Sequence, residues 1–268
     1  MEQNSKYNAA VEWDKLLARP GAYHHHCSSQ AEYQKLRSRL PRMWRYILKK
    51  TKLQPPGKVF EVGSGGGIQL VRLALRGFKM TGNEYSPNGI RKTKEFIKEV
   101  ESYHKHKLPI ELIQGDFLQI EIPLGYDFVF QFGVFEHFLE IDQRVLATTR
   151  CYDLLRTGGC FVSYVPSGMH VRRERMRTKH ECGYEVPEID YTVELMQQEM
   201  QTAGFQNITI YPYSYFQYLL CCPPPSNVVT KMLALLFYSF MNVCLPERLL
   251  STGFRQRHAL GLIGIAWK

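Results

Sequence analysis

The sequence predicts an α/β fold built on a mainly parallel sheet. The middle of the chain alternates short apolar runs with amphipathic segments, a pattern typical of consecutive strands and helices. A glycine-rich loop, EVGSGGG at residues 61–67, separates one apolar run from the amphipathic segment that comes next. The chain has 268 residues, of which 44% are hydrophobic and 22% charged, so it can bury the core that such a sheet requires.

Each element is predicted from this alternation in chain order. The predicted strands are Lys58–Val62, Phe78–Asn83, Pro109–Gln114, Asp127–Phe132, Cys160–Val165, Phe205–Tyr211 and Ala259–Trp267. The predicted helices run from the glycine loop to Arg76 and over Ser86–Tyr103, Asp142–Leu155 and Thr192–Ala203. Because glycine is favoured just past a helix end, Gly158 and Gly159 are expected to stop the third of these helices.

Three regions fall outside the alternation and define the expected domain organisation. We expect residues 1–55 to form an N-terminal helical cap on a domain that spans residues 56–268. Insertions at about residues 166–190 and 213–255 are expected to cover the side of that domain where its substrate binds. Additions of this kind usually cover the carboxyl ends of the strands, where open α/β folds bind ligands.

Composition sets broad limits on compartment and partners. The N-terminal residues are polar where a secretory signal would be apolar, and the seven cysteines form no CxxC pair. These features favour a cytoplasmic protein with reduced thiols. The net charge of +9 suits acidic partners, including nucleic acid, a membrane surface or anionic metabolites, but it is equally compatible with a basic soluble enzyme.

The residues after the glycine loop exclude two common ligands. An ATP-binding P-loop continues with Lys and then Ser or Thr, whereas this chain has Ile68 and Gln69. The dinucleotide fingerprint requires glycine at the sixth position, which here is also Ile68. The loop therefore favours a ligand other than ATP or a dinucleotide.

Carboxylates near the strand ends indicate what that ligand carries. Glu61, just before the loop, would repel a pyrophosphate and suits an ammonium group. Glu84 lies 21 residues after Gly63, where a carboxylate usually takes both ribose hydroxyls. Asp116 is expected to accept from an adenine amino group while Phe117 packs on the ring.

Four strings in this order, VFEVGSGGG, GNEYS, IQGDF and FQFGVFEHF, resemble the class I S-adenosylmethionine-dependent methyltransferases. The later string LLRTGGCFVSYVPS resembles the fifth-strand region of the same family. The resemblance covers residues 55–212 and, less closely, residues 259–267. Within the family, the sequence is similar to the group called methyltransferase type 11. It implies a Rossmann-like, seven-stranded mixed sheet whose last strand is antiparallel, flanked by helices and carrying helical cap additions.

The resemblance also implies S-adenosylmethionine as the cofactor, S-adenosylhomocysteine as the product, and a set of cofactor-binding residues. Gly66 is an extra glycine relative to the family pattern and is expected to be harmless. The implied residues are Glu61, Gly63, Ser64, Gly65 and Gly67 around the methionine part, Glu84 on the ribose, Tyr85, Asp116 and Phe117 at the adenine, and the backbone of Gln131, Phe132 and Gly133 facing the methionine amino group.

The residues after the fourth strand constrain the methyl acceptor. The chain lacks the Asn/Asp-Pro-Pro-Tyr/Phe string of enzymes that methylate nucleobase amino groups or glutamine. It also lacks the second cysteine that RNA cytosine C5 enzymes use, because Cys160 has no partner near residues 127–137. The EHF string is shared by many methyltransferases that act on small molecules, lipids and sugars.

Three residues are candidates for a catalytic role. His137 would act as a general base for a hydroxyl, or would instead hold its loop through a hydrogen bond. Tyr23 and His24 lie in the string YHHHC, which would fold over the cofactor pocket or begin a surface helix. We predict no metal site there, because three consecutive side chains on a helix or strand cannot all point towards one metal ion. His170, His180 and Cys182 are further potential ligands, but they do not change this prediction.

Two further segments remain open between functional and structural interpretations. The run Arg172–Lys179 carries five positive charges and one negative, and would recruit an anionic acceptor or form a solvated face. The apolar run Met232–Met241 is too short to span a bilayer. It would line a pocket, touch a membrane surface, form a dimer contact or, as we expect, pack in the core.

The sequence therefore predicts a methyltransferase acting on an O or N atom of a small, lipid-linked or sugar-linked acceptor, with no transmembrane segment. Two alternatives stay open: an RNA or protein methyltransferase recruited through basic surface, and a cofactor-binding partner subunit without activity. Nothing in the sequence fixes the oligomeric state.

Overall fold

The computed structural model describes residues 9–180, 186–220, 225–244 and 249–268. The strands are β1 Lys58–Val62, β2 Lys79–Glu84, β3 Ile110–Gln114, β4 Tyr126–Phe132, β5 Leu155–Pro166, β6 Asn207–Tyr215 and β7 Ala259–Trp267. The helices are α1 Ala9–Ala18, α2 Gln30–Ser38, α3 Arg42–Thr51, α4 Ile68–Ala74, α5 Pro87–His104, α6 Ile141–Leu154, α7 Arg173–Thr178, α8 Val193–Thr202, α9 Val228–Ser239 and α10 Thr252–His258.

The seven strands form one mixed sheet in the order β3-β2-β1-β4-β5-β7-β6. Strands β1 to β5 pair in parallel, whereas β7 runs antiparallel to both β5 and β6. This confirms the predicted Rossmann-like sheet with an antiparallel last strand. The carboxyl ends of β1, β2 and β4 consequently lie side by side at one edge.

Apolar side chains from both faces of the sheet build two core layers. Phe128 and Phe130 of β4 point into the layer that also holds Leu70 of α4. Phe60 of β1 and Phe161 of β5 belong to the opposite layer. Alternate strand residues face opposite sides, so a central strand covered on both faces is apolar along its whole length.

Helix α3 is part of the first core layer rather than a separate lid. Trp44 is fully buried against the rings of Phe128, Phe130 and Phe132, the nearest of them 4.9 Å away between centroids. Its indole nitrogen donates to Gln69 Oε1 at 2.7 Å, so the buried polar atom has a partner. Helix α1, by contrast, packs on α5 at the carboxyl edge of the sheet.

The junction between α6 and β5 differs from the prediction. The helix ends at Leu154 and the strand begins at once with Leu155, so Gly158 and Gly159 do not stop a helix. Instead, the pairing of β4 with β5 jumps from Tyr126–Leu155 to Phe128–Cys160, which makes a bulge. Gly158 has a φ of +76°, so the two glycines serve this bulge within the strand.

Strand β6 is longer than predicted and lies at the edge of the sheet. It continues through Pro212 to Tyr215 and pairs only with β7. A proline is tolerated here because an edge strand has one side without ladder hydrogen bonds.

The apolar run Met232–Met241 does not pack in the core except at Met241, which is buried, so that expectation was wrong for the rest of the run. Helix α9 contains no buried residue, and its leucines and valines are among the most exposed apolar side chains of the described chain. None of the helices in the described part of the chain has the length and hydropathy of a bilayer span. Cys221, Cys222, Pro223 and Pro224 of the CCPPP string lie outside the described residues.

The burial of Trp44 predicts a large loss of stability when its ring is removed. Replacing a fully buried Trp by Ala leaves a cavity and typically costs about 3–5 kcal/mol. We therefore expect Trp44→Ala to lower the free energy of unfolding by about this amount in a urea titration. Leu124→Ala is the control, since Leu124 is 69% exposed, and a similar loss in that variant would contradict the assignment.

Candidate active site

A cavity opens at the carboxyl edge, where β1, β2 and β4 end. Its floor is made by backbone and side chains of the loops after these strands, and its roof by α1 and the segment after it. The lining residues are Ala9, Ala10, Trp13, Leu17, Tyr23, Val62, Gly63, Gly65, Asn83, Glu84, Tyr85, Asp116, Phe117, Phe132, Gly133, Val134, His137 and Phe138.

The glycine loop contributes backbone to this floor. Gly63 has a φ of +64°, and a Cβ there would lie 2.6 Å from Val134 Cγ2. Gly63 and Gly65 line the cavity, whereas Ser64 and Gly67 are turned away from it. The buried Ser64 hydroxyl has no hydrogen-bond partner among the described residues.

Glu84 ends β2 and reaches back under the same loop. Its carboxylate accepts from the backbone amides of Gly65 at 2.7 Å and Ser86 at 2.8 Å. Burial raises the pKa of Glu84, while these two amides oppose the rise. The side chain lines the cavity, so one carboxylate both orders the loop and faces the space that a ligand would fill.

Glu61 lies below the loop rather than beside the cavity. It is 4% exposed and is not a lining residue. Burial raises the pKa of Glu61 well above its usual range, and the neighbouring charge of Glu84 adds to the effect. Its Oε2 atom has no partner among the described residues.

The three residues predicted at an adenine are brought together at the cavity wall. Tyr85 is 40% exposed, whereas Phe117 is buried and stacks on Phe135 with ring centroids 6.5 Å apart. Asp116 is already engaged, because its carboxylate accepts from Leu118 N at 2.9 Å and Gln119 Nε2 at 3.0 Å.

The segment after β4 is held by a buried amide side chain. Gln131 donates to Ser163 Oγ at 2.6 Å and accepts from Val134 N at 2.9 Å. Gln131 is therefore not in the cavity, but it fixes the turn at Gly133, whose φ is +74°. Phe132 and Gly133 do line the cavity.

His137 faces the cavity with a defined tautomer. Its Nδ1 lies 2.9 Å from the carbonyl oxygen of Pro187, which can only accept, so Nδ1 carries the proton. Burial lowers the pKa of His137, although this hydrogen bond acts in the opposite direction. The neutral ring therefore has its lone pair on Nε2.

The roof depends on a residue that the sequence did not single out. Trp13 of α1 meets the rings of both His137 and Tyr23 edge-on, at centroid distances of 5.1 and 5.6 Å. The only signal in the sequence is the apolar spacing within AAVEWDKLL, which fits a core helix equally well. Lys92 of α5 holds the segment after α1 by donating to the carbonyls of Arg19 and Ala22.

Gly66 allows the roof to lie close to the glycine loop. A Cβ at Gly66 would stand 2.0 Å from the carbonyl oxygen of Tyr23 and 3.0 Å from His25 Cδ2. The prediction that this extra glycine is harmless was therefore incomplete, because any side chain would collide with backbone of the N-terminal segment.

The remaining histidines of YHHHC lie away from the cavity. His24 is 3.7 Å from Glu95 Oε2 and packs on His26, whose Nδ1 is 3.2 Å from Glu99 Oε1. The structure thus places His24 against α5, and it does not join Tyr23 and His137. Cys182 lies outside the described residues.

Behind His137 is a cluster of donors of the kind that metal ions bind. Single ligand atoms of Glu136, His137 and Glu188 lie within 4.8 Å of one another. Arg173 places its guanidinium 3.0 Å from Glu188 and so already supplies a positive charge there. Burial raises the pKa of Glu136 well above its usual range.

Arg173 and Arg177 of the basic run Arg172–Lys179 form ion pairs with carboxylates. Arg173 is buried and reaches Asp190 at 2.5 Å as well as Glu188. Arg177 pairs with Glu174 and with Asp190, the latter at 3.1 Å. The run is therefore not the unopposed positive surface that its composition indicates.

A family model described as a methyltransferase domain matches residues 60–163. This span contains the glycine loop, the ends of β2, β3 and β4, and the EHF turn. A search of curated protein sequences gives no match.

Solved structures with the same fold are numerous, and three illustrate the likeness. A chain of the Haloferax volcanii complex that contains the Trm112 methyltransferase activator has a TM-score of 0.59 at 14% identity, over 96% of this chain and 97% of that one. An S-adenosylmethionine-dependent methyltransferase from Archaeoglobus fulgidus has a TM-score of 0.56 at 14% identity, over 88% of this chain and 98% of that one. Phosphoethanolamine N-methyltransferase 2 of Haemonchus contortus, solved with S-adenosylmethionine, has a TM-score of 0.55 at 12% identity, over 99% of this chain and 58% of that one.

The match marks residues 60–163 as a methyltransferase domain, and the sheet has the fold of the class I S-adenosylmethionine-dependent methyltransferases. The cofactor of that class of enzymes is S-adenosylmethionine. The solved structures contribute the fold alone to this conclusion, because their identities to the chain are low.

The contact between Gly66 and Tyr23 predicts that the roof loosens when a side chain is added. In Gly66→Ala the Cβ would displace the Tyr23 backbone, so we expect faster hydrogen exchange of the α1 amides, residues 9–18. Gly253→Ala is the matched control, because no atom lies within 4 Å of a Cβ at Gly253. Unchanged exchange of α1 in Gly66→Ala would show that the roof does not depend on this contact.

Proposed function

We propose that the protein transfers the methyl group of S-adenosylmethionine to an O or N atom of a small acceptor, free or linked to a lipid or sugar. The observation that carries this proposal is the roof over the cavity. Helix α1 and Tyr23 lie above the carboxyl ends of the strands. The partly covered space suits a small molecule or the end group of a larger one better than an RNA or protein strand.

The residues of the cavity fit the cofactor part by part. Glu84 offers a carboxylate for the ribose, and Phe117 and Tyr85 offer ring surface for the adenine. Gly63, Gly65 and Gly133 offer bare backbone at positive φ, where a ligand can approach closely. In this assignment Gln131 acts from beneath by holding the turn after β4, and Glu61 lies beneath the glycine loop.

S-adenosylmethionine would supply a methyl group bound to a positively charged sulfur. The rest of the molecule, S-adenosylhomocysteine, is a good leaving group. The protein has to hold the acceptor in line with that methyl, and such alignment can account for much of the rate. It also has to take a proton when the acceptor is a hydroxyl or an ammonium.

His137 is the residue best placed to take that proton. Its Nε2 is unprotonated, because Nδ1 donates to Pro187, and the ring lines the cavity. Tyr23 is close enough to contact the same acceptor from the roof. His24 has no part in this proposal, because it lies against α5.

A polymer acceptor is less well supported. In the basic run that would attract RNA or an acidic protein, Arg173 and Arg177 are already paired with Glu174, Glu188 and Asp190. Binding of a polymer through basic surface would weaken steeply with salt. A partner-subunit role is suggested only by the activator present in the Haloferax volcanii complex, which is a property of that complex.

Glu84 provides the test of cofactor binding. We expect calorimetry to detect S-adenosylmethionine binding to the wild type, and Glu84→Ala to weaken it by about 1–3 kcal/mol, the scale of a lost hydrogen bond to a charged group. Glu95→Ala, on the outer part of α5, should bind like the wild type. No binding to the wild type would overturn the proposal, and no S-adenosylhomocysteine formation with small, lipid and sugar acceptors would favour the inactive partner subunit.

If His137 accepts a proton in the reaction, its pKa should lie below the usual value for histidine. Burial disfavours the imidazolium, so the ring should titrate below 6.5 and stay neutral at physiological pH. Trp13→Ala opens the roof, so it should move this pKa back towards 6.5. Histidine NMR spectra over a pH series measure both values, with His137→Asn assigning the signal. A wild-type His137 that titrates at or above 6.5 would contradict the burial argument.

A further inference from the structure

Helix α9 and the turn after it form an apolar surface without a partner in the described part of the chain. We call the exposed apolar side chains of residues 228–243 the α9 surface. Val228 is 73% exposed, Leu233 61%, Leu236 64% and Val243 69%. Monomeric soluble proteins rarely expose so many contiguous large apolar side chains, and such patches mark protein or membrane contacts.

This surface is held in place rather than loosely attached. Asn242 accepts from Tyr215 N at 2.8 Å and donates to the carbonyl oxygens of Tyr215 and Tyr238. Phe237 packs on Phe216 with centroids 5.0 Å apart. A capping box of Asn227 and Thr230 starts the helix. The apolar side chains therefore point outwards from a built element.

The charged residues in the described segments that carry α9 and α10 are all positive. Residues 225–244 and 249–268 contain no Asp or Glu, but they include Lys231 on α9 and Arg255 and Arg257 on α10. Helix α10 adjoins α9 through Phe216, whose ring is 5.7 Å from Phe254 of α10. An apolar helix bordered by cations has the chemistry of an interfacial membrane helix that prefers anionic lipids.

The α9 surface also lies at the same edge of the sheet as the cavity. Tyr238 of α9 is 3.2 Å from Ser214 Oγ at the end of β6. Next to Ser214, the Tyr213 ring meets that of Tyr164 at 6.4 Å, and the Tyr164 carbonyl accepts from the Gly133 amide of the cavity floor.

We propose that the α9 surface docks the enzyme on an anionic phospholipid bilayer, with the apolar side chains entering the interface and Lys231, Arg255 and Arg257 at the headgroups. Docking in this way places the carboxyl edge of the sheet towards the lipid. If the acceptor is lipid-linked, which rests on the function proposed above, it would reach the cavity from this side.

A second copy of the chain fits the α9 surface less well. A two-fold contact between two such surfaces would bring Lys231, Arg255 and Arg257 of both copies together. The described residues of this region contain no carboxylate to offset them. Like charges at an interface oppose association.

Vesicle co-sedimentation of the full chain tests the proposal. We expect binding to vesicles of equal parts phosphatidylcholine and phosphatidylglycerol, weak binding to phosphatidylcholine alone, and a loss of binding at high salt. Leu233→Gln combined with Leu236→Gln should weaken binding about tenfold or more. Lys231→Gln combined with Arg257→Gln should weaken binding to the anionic vesicles selectively.

The matched control is Leu124→Gln combined with Leu146→Gln, since both leucines are exposed but lie on other faces. That variant should bind vesicles like the wild type. No binding to either vesicle, or equal binding to both, would overturn the proposal. So would light scattering that shows a dimer which the Leu233 and Leu236 changes dissociate. Cofactor binding, measured on the same samples, checks folding and reports separately on the proposed methyltransferase site.

Discussion

The site depends on the close approach of two backbones, those of the glycine loop and of the segment after α1. Gly66 permits it, because the Tyr23 carbonyl occupies the place where a side chain would stand. Lys92 fixes the same segment from α5 through two carbonyl oxygens. The cofactor loop and the roof are thus one packed unit. A loop that only had to admit a ligand would not require a glycine at this position.

Burial also sets the electrostatics in and beneath the cavity. His137 and Glu84 line the cavity, Glu61 and Glu136 lie behind its lining, and burial shifts the pKa of each towards the neutral form. A neutral histidine suits a site whose donor is itself a cation, because a fully charged imidazolium would repel the sulfonium. Glu84 keeps two backbone amides as partners, which favours its ionised form more than that of Glu61.

Much of the fold could be predicted from the sequence, because strand periodicity and glycine positions are local signals. Strand β7 has the predicted bounds, and Gly63, Gly65 and Gly133 do face the cavity. Trp13 could not be identified, since an apolar residue on a helix has the same pattern in a core as in a roof. The β5 bulge and the exposure of α9 were missed for a related reason: register and burial are set by distant partners, Tyr126 and Tyr215 among them.

Folding alone does not account for the composition of α9. Most of its apolar side chains are exposed, so they contribute little to stability. Asn227 and Thr230 cap the helix, and Phe237 and Asn242 attach it to Phe216 and Tyr215. Polar side chains at Leu233 and Leu236 would serve the fold equally well and would be better solvated. Apolar residues at such positions indicate a surface that is covered when the protein works. Because the cavity opens at the same edge of the sheet, whatever covers α9 lies at the edge where the cavity is found.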